Sequence, residues 1–262
     1  MRLSMPKLDW KRAAVEFIVI AGGVFAGLAV DGWQEGRRNR AAEAAHLIDL
    51  RRDLELDMTE FEITLASIGA SERAVGGIGN AITARPLGLP DTLQLPIAVE
   101  LAGWLYLPVV SSYTYDEMLS TGDLRLLRNR MLKRQLSTYY SLTRANSQWN
   151  EDLRRWRRPY QDRIGSILDV DTRVAIETNC CDPRVPLDAS FLNGTAVTPV
   201  IARLRAIPEL PAMLGEVRYA LARQSWTTEQ LRDQAVLVIG ILDREIEARG
   251  LENPIRPATE ES

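Results

Sequence analysis

The stretch EFIVIAGGVFAGLAVDGWQEGRRNR, Glu16–Arg40, decides the fold because its first half is apolar on every face. Each residue from Phe17 to Val30 is apolar or glycine, and the run extends back to Ala13 apart from Glu16. A helix needs roughly 20 such residues to cross about 30 Å of hydrocarbon. The length is marginal, so the flanking residues have to decide whether the stretch spans a membrane.

Those flanks favour a span. Trp10 and Trp33 bracket the run, and a helix rising about 1.5 Å per residue places them roughly 34 Å apart. This separation fits two aromatic belts, one at each headgroup level. Glu16 lies one turn from Arg12, where an i,i+4 pair makes its charge tolerable near the boundary. We therefore expect residues 13–33 to form a transmembrane helix, with Trp10, Trp33, Arg12 and Glu16 at the membrane interfaces.

Two other interpretations of the stretch stay open. A basic start, a short apolar region and Gly27-Leu28-Ala29 also resemble a secretory signal with a small-residue cleavage site, and cleavage would leave a soluble periplasmic protein. Against cleavage, the helical pattern continues through Trp33 into Ala41–Leu50 without a break. A buried core helix is disfavoured, because a run that is apolar on all faces near the N-terminus would need complete wrapping.

Charge on the two sides of the span predicts its orientation. The positive-inside rule favours a cytoplasmic N-terminus by a narrow margin. We expect residues 1–12 to form a short cytoplasmic tail, and residues 34–250 to form the periplasmic domain of a bacterial inner-membrane protein. The basic residues before the span are Arg2, Lys7, Lys11 and Arg12, and those after it are Arg37, Arg38 and Arg40.

The remaining sequence predicts an all-α fold, in which the transmembrane helix continues into an extracytoplasmic helical bundle. The first outer helix has apolar residues at spacings of three and four. A strict heptad seam would place Asp57 and Thr64 in core positions, which favours a globular bundle over a coiled coil. The apolar residues of this helix are Leu47, Leu50, Leu54, Met58, Phe61, Leu65 and Ile68.

Three further segments have a predicted structure. Three prolines predict a connector at 84–96. AVLVIGIL at 235–242 is apolar all round and reads as a central helix, and residues 251–262 read as a disordered tail.

An arginine cluster is the first candidate binding site. The segment DLRRWRRPY, Asp152–Tyr160, places Arg154, Arg155, Arg157 and Arg158 around Trp156. Arginines beside an aromatic ring suit anionic headgroups or an acidic partner surface. The alternative is a charged outer helix face around one core tryptophan.

An acidic stripe and a cysteine pair each have an ordinary interpretation beside a functional one. Asp49, Asp53 and Asp57 lie four residues apart with Glu60 nearby, which indicates a solvated helix face or, less often, a site for a cation or basic partner. The two cysteines, Cys180 and Cys181, are adjacent. We expect two half-buried thiols in a loop, with a redox switch in an oxidising compartment as the alternative.

Catalysis, metals and nucleic acids are disfavoured. Glu43 and His46 form a Glu-x-x-His, half of a di-iron motif, but His46 is the only histidine of the chain. The same shortage disfavours Ser-His and Cys-His catalysis, so we expect a protein that is not an enzyme, with no catalytic residue, metal or other cofactor. A net charge of −3 gives no reason to expect a nucleic-acid partner.

The span itself carries an association motif. Gly23 and Gly27 form a G-x-x-x-G, which lets two membrane helices approach closely. We therefore expect the partners to be the lipid bilayer and either a second copy or a partner membrane protein. Ordinary tolerance of glycine in membranes is the alternative.

Several segments also resemble a known family. EFIVIAGGVFAGLAVDGWQE, HLIDLRRDLELD (His46–Asp57), YDEMLSTGDLRLLRN (Tyr115–Asn129) and LSTYY (Leu136–Tyr140) are similar to a family of uncharacterised bacterial single-pass membrane proteins. The resemblance covers roughly the chain up to Tyr140. It implies an N-terminal span followed by a helical extracytoplasmic region, and it implies no activity.

These features predict a membrane-anchored bundle that acts as a protein-interaction or assembly module. The alternative from a different class is a sensory bundle that binds a small molecule between its helices. Aromatic residues would line that pocket, with Trp104, Tyr106, Tyr113 and Tyr115 as the candidates.

Overall fold

The longest element is α1, a single helix from Trp10 to Thr83 that begins in the apolar stretch and continues from it without interruption. The computed structural model describes residues 10–83, 89–180, 190–192 and 197–251. Apolar side chains between Phe17 and Val30 are exposed, for example 73% of Phe25. Within the described part of the chain, α1 is the one helix long and apolar enough to cross a membrane. No part of the bundle covers this window, which contradicts a buried core helix.

The described residues after α1 are also mostly helical, and they contain no strand, which confirms the predicted all-α class. The α-helices after α1 are α2 (Leu89–Gly103), α3 (Tyr113–Thr121), α4 (Arg130–Ile167), α5 (Val170–Asn179), α6 (Val197–Arg205) and α7 (Leu210–Ala248), and short 3₁₀ turns occupy Asp123–Arg125 and Ser190–Leu192.

From α2 onward the chain runs back along α1 toward the apolar end of that helix. Near the far end, Ser71 Oγ donates a hydrogen bond to the carbonyl of Leu101 at 3.0 Å. Near the apolar end of α1, Glu43 accepts one from the amide of Arg128 at 2.9 Å. The returning chain consists of α2, an irregular segment at 104–112, α3 and a loop.

Two further long helices complete an up-down-up-down arrangement. α4 runs parallel to α1, and α7 runs antiparallel to both and packs between them. Two contacts between α4 and α7 show this direction. Gln234 Nε2 donates to Gln135 Oε1 at 2.8 Å, and further out the rings of Trp156 and Tyr219 meet edge to face with centroids 4.9 Å apart. Helix α7 ends beside Glu43, and α5 and α6 pack at the far end.

Core positions on α1 follow a strict alternation of three and four residues, which is the geometry of coiled-coil-like bundles. The expectation that Asp57 and Thr64 would break such a seam is wrong, since both are 0% exposed. Both polar groups have partners: Thr64 donates to the carbonyl of Glu60 at 2.7 Å, and Asp57 accepts from the Ser111 amide and the Tyr139 hydroxyl. The buried positions are Leu47, Leu50, Leu54, Asp57, Phe61, Thr64, Ile68, Ser71, Val75 and Ile78.

The core is divided into two hydrophobic clusters. One, nearer the apolar end of α1, includes Phe61 and Tyr139, and the other, at the far end, includes Ile68 and Tyr160. Buried polar residues lie between the two clusters, namely Thr64, Arg157, Gln224 and Thr228.

Two predictions about the connections need correction. The connector at 84–96 is shorter than predicted, because α2 begins at Leu89 and contains Pro96. A proline removes one helical hydrogen bond, but its neighbours Leu95 and Ile97 are buried in the far cluster, and this packing offsets the loss. The segment at 235–242 lies within α7 and is not buried on all sides, since Val236 is 52% exposed.

Gly103, at the end of α2, lies close to α4. A Cβ at this position would lie 2.6 Å from Ile164 Cδ1, so a larger residue would require the Ile164 side chain to move. The predicted tail at 251–262 lies outside the described residues apart from Leu251.

Candidate functional site

Three of the four sequence-predicted arginines line one cleft. Arg154, Arg155 and Arg158 are exposed on α4 and face the start of the irregular segment across a cleft of about 770 Å³. Gln161 closes one side, where its Nε2 donates to the carbonyl of Gly103 at 2.7 Å. The lining also includes Glu100, Trp104, Leu105, Tyr106, Leu107, Glu151, Asp162, Ile164 and Arg173.

Arg157 does not belong to this surface, which corrects the prediction. Its side chain is 1% exposed and donates to the carbonyl of Trp104 and, at 2.8 Å, to Gln224 Oε1. Gln224 in turn donates to the carbonyl of Tyr106. Burial lowers the pKa of the Arg157 guanidinium to about 10, so it stays charged at neutral pH. Arg157 therefore supports the cleft wall from behind.

The positions of these arginines along the helix explain why Arg157 is buried and the other three are exposed. Arg157 lies four residues after Leu153 and three before Tyr160, and all three are buried. This is the three-and-four pattern of a core position, so the sequence held a signal that the charge of the side chain obscured. Arg154 and Arg158 lie on the neighbouring face and reach the cleft.

The cleft has a small positive excess, with four arginines and three carboxylates in its lining. Arg154 pairs with Glu151 at 3.8 Å and Arg155 with Asp152 at 3.6 Å, both one helical turn away and both exposed. Exposed pairs of this kind contribute little, so an incoming anion competes with them easily. Arg158 makes no ion pair with any described residue.

Two of the four aromatics predicted to line a pocket are at the cleft. Trp104 and Tyr106 contribute to its wall. Tyr113 is 76% exposed elsewhere, and Tyr115 is buried with its ring stacked on Tyr140 at 4.2 Å between centroids. The four therefore do not form one ligand pocket.

The acidic stripe of α1 binds the irregular segment and the start of α3, and it is not simply a solvated face, which corrects the prediction for Asp57. Asp57 Oδ1 accepts from the amide of Ser111 at 2.6 Å, and Asp53 accepts from the amide of Thr114 at 3.2 Å. Glu60 accepts from the Tyr106 hydroxyl at 3.2 Å. Of the stripe, Asp49 is exposed as predicted.

Asp57 is the buried centre of this arrangement. Its Oδ2 accepts a hydrogen bond from the Tyr139 hydroxyl at 2.6 Å. Desolvation raises the pKa of the Asp57 carboxyl to about 6, and the hydrogen bonds from Tyr139 and Ser111 oppose that rise. Desolvation also raises the pKa of the Tyr139 hydroxyl, which stays neutral and donates.

Glu43 and His46 serve as attachment points for the returning chain. The buried Glu43 accepts from the Arg128 amide and forms an ion pair with Arg249 at 3.0 Å, while His46 Nε2 lies 3.5 Å from Asp123. No group of three or more potential metal ligands occurs among the described residues.

Cys180 differs from the expected free thiol. It follows α5, packs against the far cluster and is disulfide-bonded. Cys181 lies outside the described residues.

The predicted interface residues are described in part. Trp33 is 62% exposed, with the Arg37 guanidinium 6.0 Å from its ring centroid. Trp10, Arg12 and Glu16 lie on α1, and their side chains fall outside the described part of the structure. Gly23 and Gly27 have no atom within 4 Å of an added Cβ, so the described chain leaves that face of α1 open.

Fold and site together define a class of protein, an all-α bundle built on one long helix whose apolar end stands clear of the bundle and whose far half carries an arginine-lined cleft. Comparisons with family models, with curated proteins and with solved structures find no match to this chain. The resemblance to bacterial single-pass membrane proteins therefore stays a prediction.

Proposed function

We propose that the protein is a single-pass inner-membrane protein whose periplasmic bundle binds an acidic segment of a partner protein in the arginine-lined cleft. The observation that carries this proposal is the convergence of Arg154, Arg155 and Arg158 on one open cleft. Guanidinium groups bind carboxylates in a fixed, bidentate geometry, which suits recognition of Asp and Glu side chains.

The cleft is built to hold its shape. Arg157 and Gln224 bind the carbonyls of the opposite wall, and Glu60 binds the Tyr106 hydroxyl. A wall held by several hydrogen bonds loses little entropy when a ligand binds. This rigidity favours a binding role for the exposed arginines.

Membrane anchoring has independent support. The apolar part of α1 is exposed and continues directly into the bundle, as a span joined to an outer domain would. Four basic residues precede the span and three follow it, which favours a cytoplasmic N-terminus.

Site-specific photocrosslinking in cells tests the proposed binding. A photoreactive phenylalanine analogue at Asp162, in the cleft lining, should crosslink one partner, whereas the same analogue at the exposed Ser141 of α4 should not. The double variant Arg154→Glu, Arg158→Glu should remove the crosslink while leaving the circular dichroism spectrum unchanged. A crosslink that survives this charge reversal would contradict the proposal.

A sensory function is the second candidate, favoured by the presence of Trp104 and Tyr106 beside the arginines. The corresponding ligand is a small anion with a flat or apolar part. A rise in melting temperature with small aromatic carboxylates, lost in Arg158→Glu, would favour this candidate over a protein partner. Cleavage of the apolar stretch, which would make the protein soluble and periplasmic, is the alternative to anchoring.

A further inference from the structure

The membrane-facing end of the bundle carries a second basic surface, which we name the basal collar. It combines the part of α1 just after the span with the loop between α3 and α4. Its exposed arginines are Arg37, Arg38, Arg40, Arg125, Arg128 and Arg130.

The loop is fixed close to the span. The Arg128 amide and guanidinium both bind Glu43, at 2.9 and 3.5 Å, and Asp123 lies 3.5 Å from His46. Arg249, at the end of α7, binds the same Glu43. Three parts of the chain therefore meet on one buried carboxylate.

Helix geometry sets the height of the collar above the membrane. Glu43 follows Trp33 by a rise of about 15 Å. The headgroup layer is roughly 5–8 Å thick, so the remaining gap is close to the Debye length of about 8 Å at physiological ionic strength. Charges at the height of Glu43 are therefore partly screened from the lipid phosphates. Arg37, Arg38 and Arg40 precede Glu43 on α1, so they lie closer to the phosphates and are screened less.

The composition of the collar suits an anionic membrane surface. In the segments 31–43, 122–131 and 245–251, the exposed carboxylates are Asp31, Glu35 and Glu247, half as many as the exposed arginines. Met131 adds an apolar side chain that is 62% exposed beside Arg130.

We propose that the basal collar docks on anionic phospholipid headgroups of the membrane that the span crosses, and thereby holds the bundle against the bilayer. This inference goes beyond the proposed cleft function and rests only on its anchoring part. It holds for either orientation of the span, because the collar follows the span on the bundle side.

The test uses the full chain in nanodiscs that contain either phosphatidylcholine alone or phosphatidylcholine with phosphatidylglycerol. Hydrogen exchange of the amides at 122–131 should be severalfold slower in the anionic discs, and exchange at 104–112 should be equal in both. The variant Arg125→Glu, Arg130→Glu should lose the lipid dependence. The matched variant Arg154→Glu, Arg155→Glu, on the distant cleft, should keep it.

Other outcomes overturn the inference in distinguishable ways. Equal exchange at 122–131 in both kinds of disc, with the span embedded, contradicts lipid docking and leaves the anchor intact. Slowing that occurs only in native membranes, and not in anionic discs, assigns the collar to a protein partner. A chain that enters neither kind of disc contradicts the anchor, and with it the docking.

Discussion

The Tyr139 hydroxyl donates a hydrogen bond of 2.6 Å to Asp57 Oδ2, and both side chains are fully buried between α4 and α1. The other Asp57 oxygen accepts from the Ser111 amide. One carboxylate thus joins α1, α4 and the irregular segment whose first residues form a wall of the cleft. The buried polar contacts of the bundle position that wall.

Removal of the Tyr139 hydroxyl should destabilise the fold. Tyr139→Phe leaves one Asp57 oxygen without its buried donor, and a loss of this kind costs roughly 1–3 kcal/mol. Urea unfolding of the full chain in detergent measures it. Tyr113→Phe is the matched control, because Tyr113 is 76% exposed, and it should stay within about 0.5 kcal/mol of wild type. Equal unfolding free energies for the two variants would contradict the role of the buried pair.

Stability should fall as pH rises through the titration of Asp57. Burial raises the pKa of this carboxyl from 3.8 to about 6, so between these values the folded chain keeps a proton that the unfolded chain has released. The contribution of Asp57 to the unfolding free energy is therefore fully present at low pH, and it is lost as pH rises through about 6.

Asp57→Asn removes this component and serves as the comparison. The urea midpoint of wild type minus that of Asp57→Asn should decrease between about pH 4 and pH 6, following the pKa values of the carboxyl in the two states. A difference that stays constant over this range would show that Asp57 titrates normally in the folded chain.

The same substitution should affect stability at Arg157 and partner binding at Arg158. Arg157→Met leaves the Trp104 carbonyl and Gln224 Oε1 without a donor, which we expect to lower the unfolding free energy by roughly 1–3 kcal/mol. Arg158→Met changes an exposed residue and should leave stability unchanged while weakening the partner crosslink at position 162. Equal melting temperatures for the two variants would contradict the assignment of Arg157 to the core.

The glycines of the span predict self-association. Gly22, Gly23 and Gly27 leave a nearly bare face, and close backbone approach is what drives helix pairing in lipid. Gly23→Ile and Gly27→Ile should weaken association of the isolated span in an energy-transfer assay in membranes, whereas Phe25→Ile should not. Equal signals from all three variants would contradict a role of the glycines in association, and any oligomer would then have to form through the bundle.

Sequence periodicity sufficed for the helical class, since the apolar stripe at Leu47–Ile68 follows the buried face of α1 closely. It failed where polar residues occupy core positions. Asp57 and Arg157 both fit the three-and-four spacing, but a charge is buried only when partners satisfy it. Those partners, Ser111 and Trp104, lie more than fifty residues away in the chain. A local pattern contains no information about such distant contacts.

The sequence predicted one wall of the cleft and not the other. Arg154, Arg155 and Arg158 stand out in sequence as a cluster, and their exposure follows from the helical period. The opposite wall could not be predicted, because residues 104–107 have no regular structure and depend on hydrogen bonds from Arg157, Gln224 and Glu60. The prediction also failed at α2. Pro96 predicts a break in the helix, but the burial of its neighbours in the far cluster stabilises α2.

Protease accessibility of the intact chain tests the central claim, a retained span with the bundle outside the cytoplasm, most directly. In spheroplasts, added protease should digest the bundle and leave an N-terminal fragment that resists carbonate extraction. In inverted membrane vesicles the bundle should be protected. A bundle that is protected in spheroplasts and digested in inverted vesicles would reverse the orientation, and a chain that is released in soluble form on spheroplast preparation would contradict the anchor.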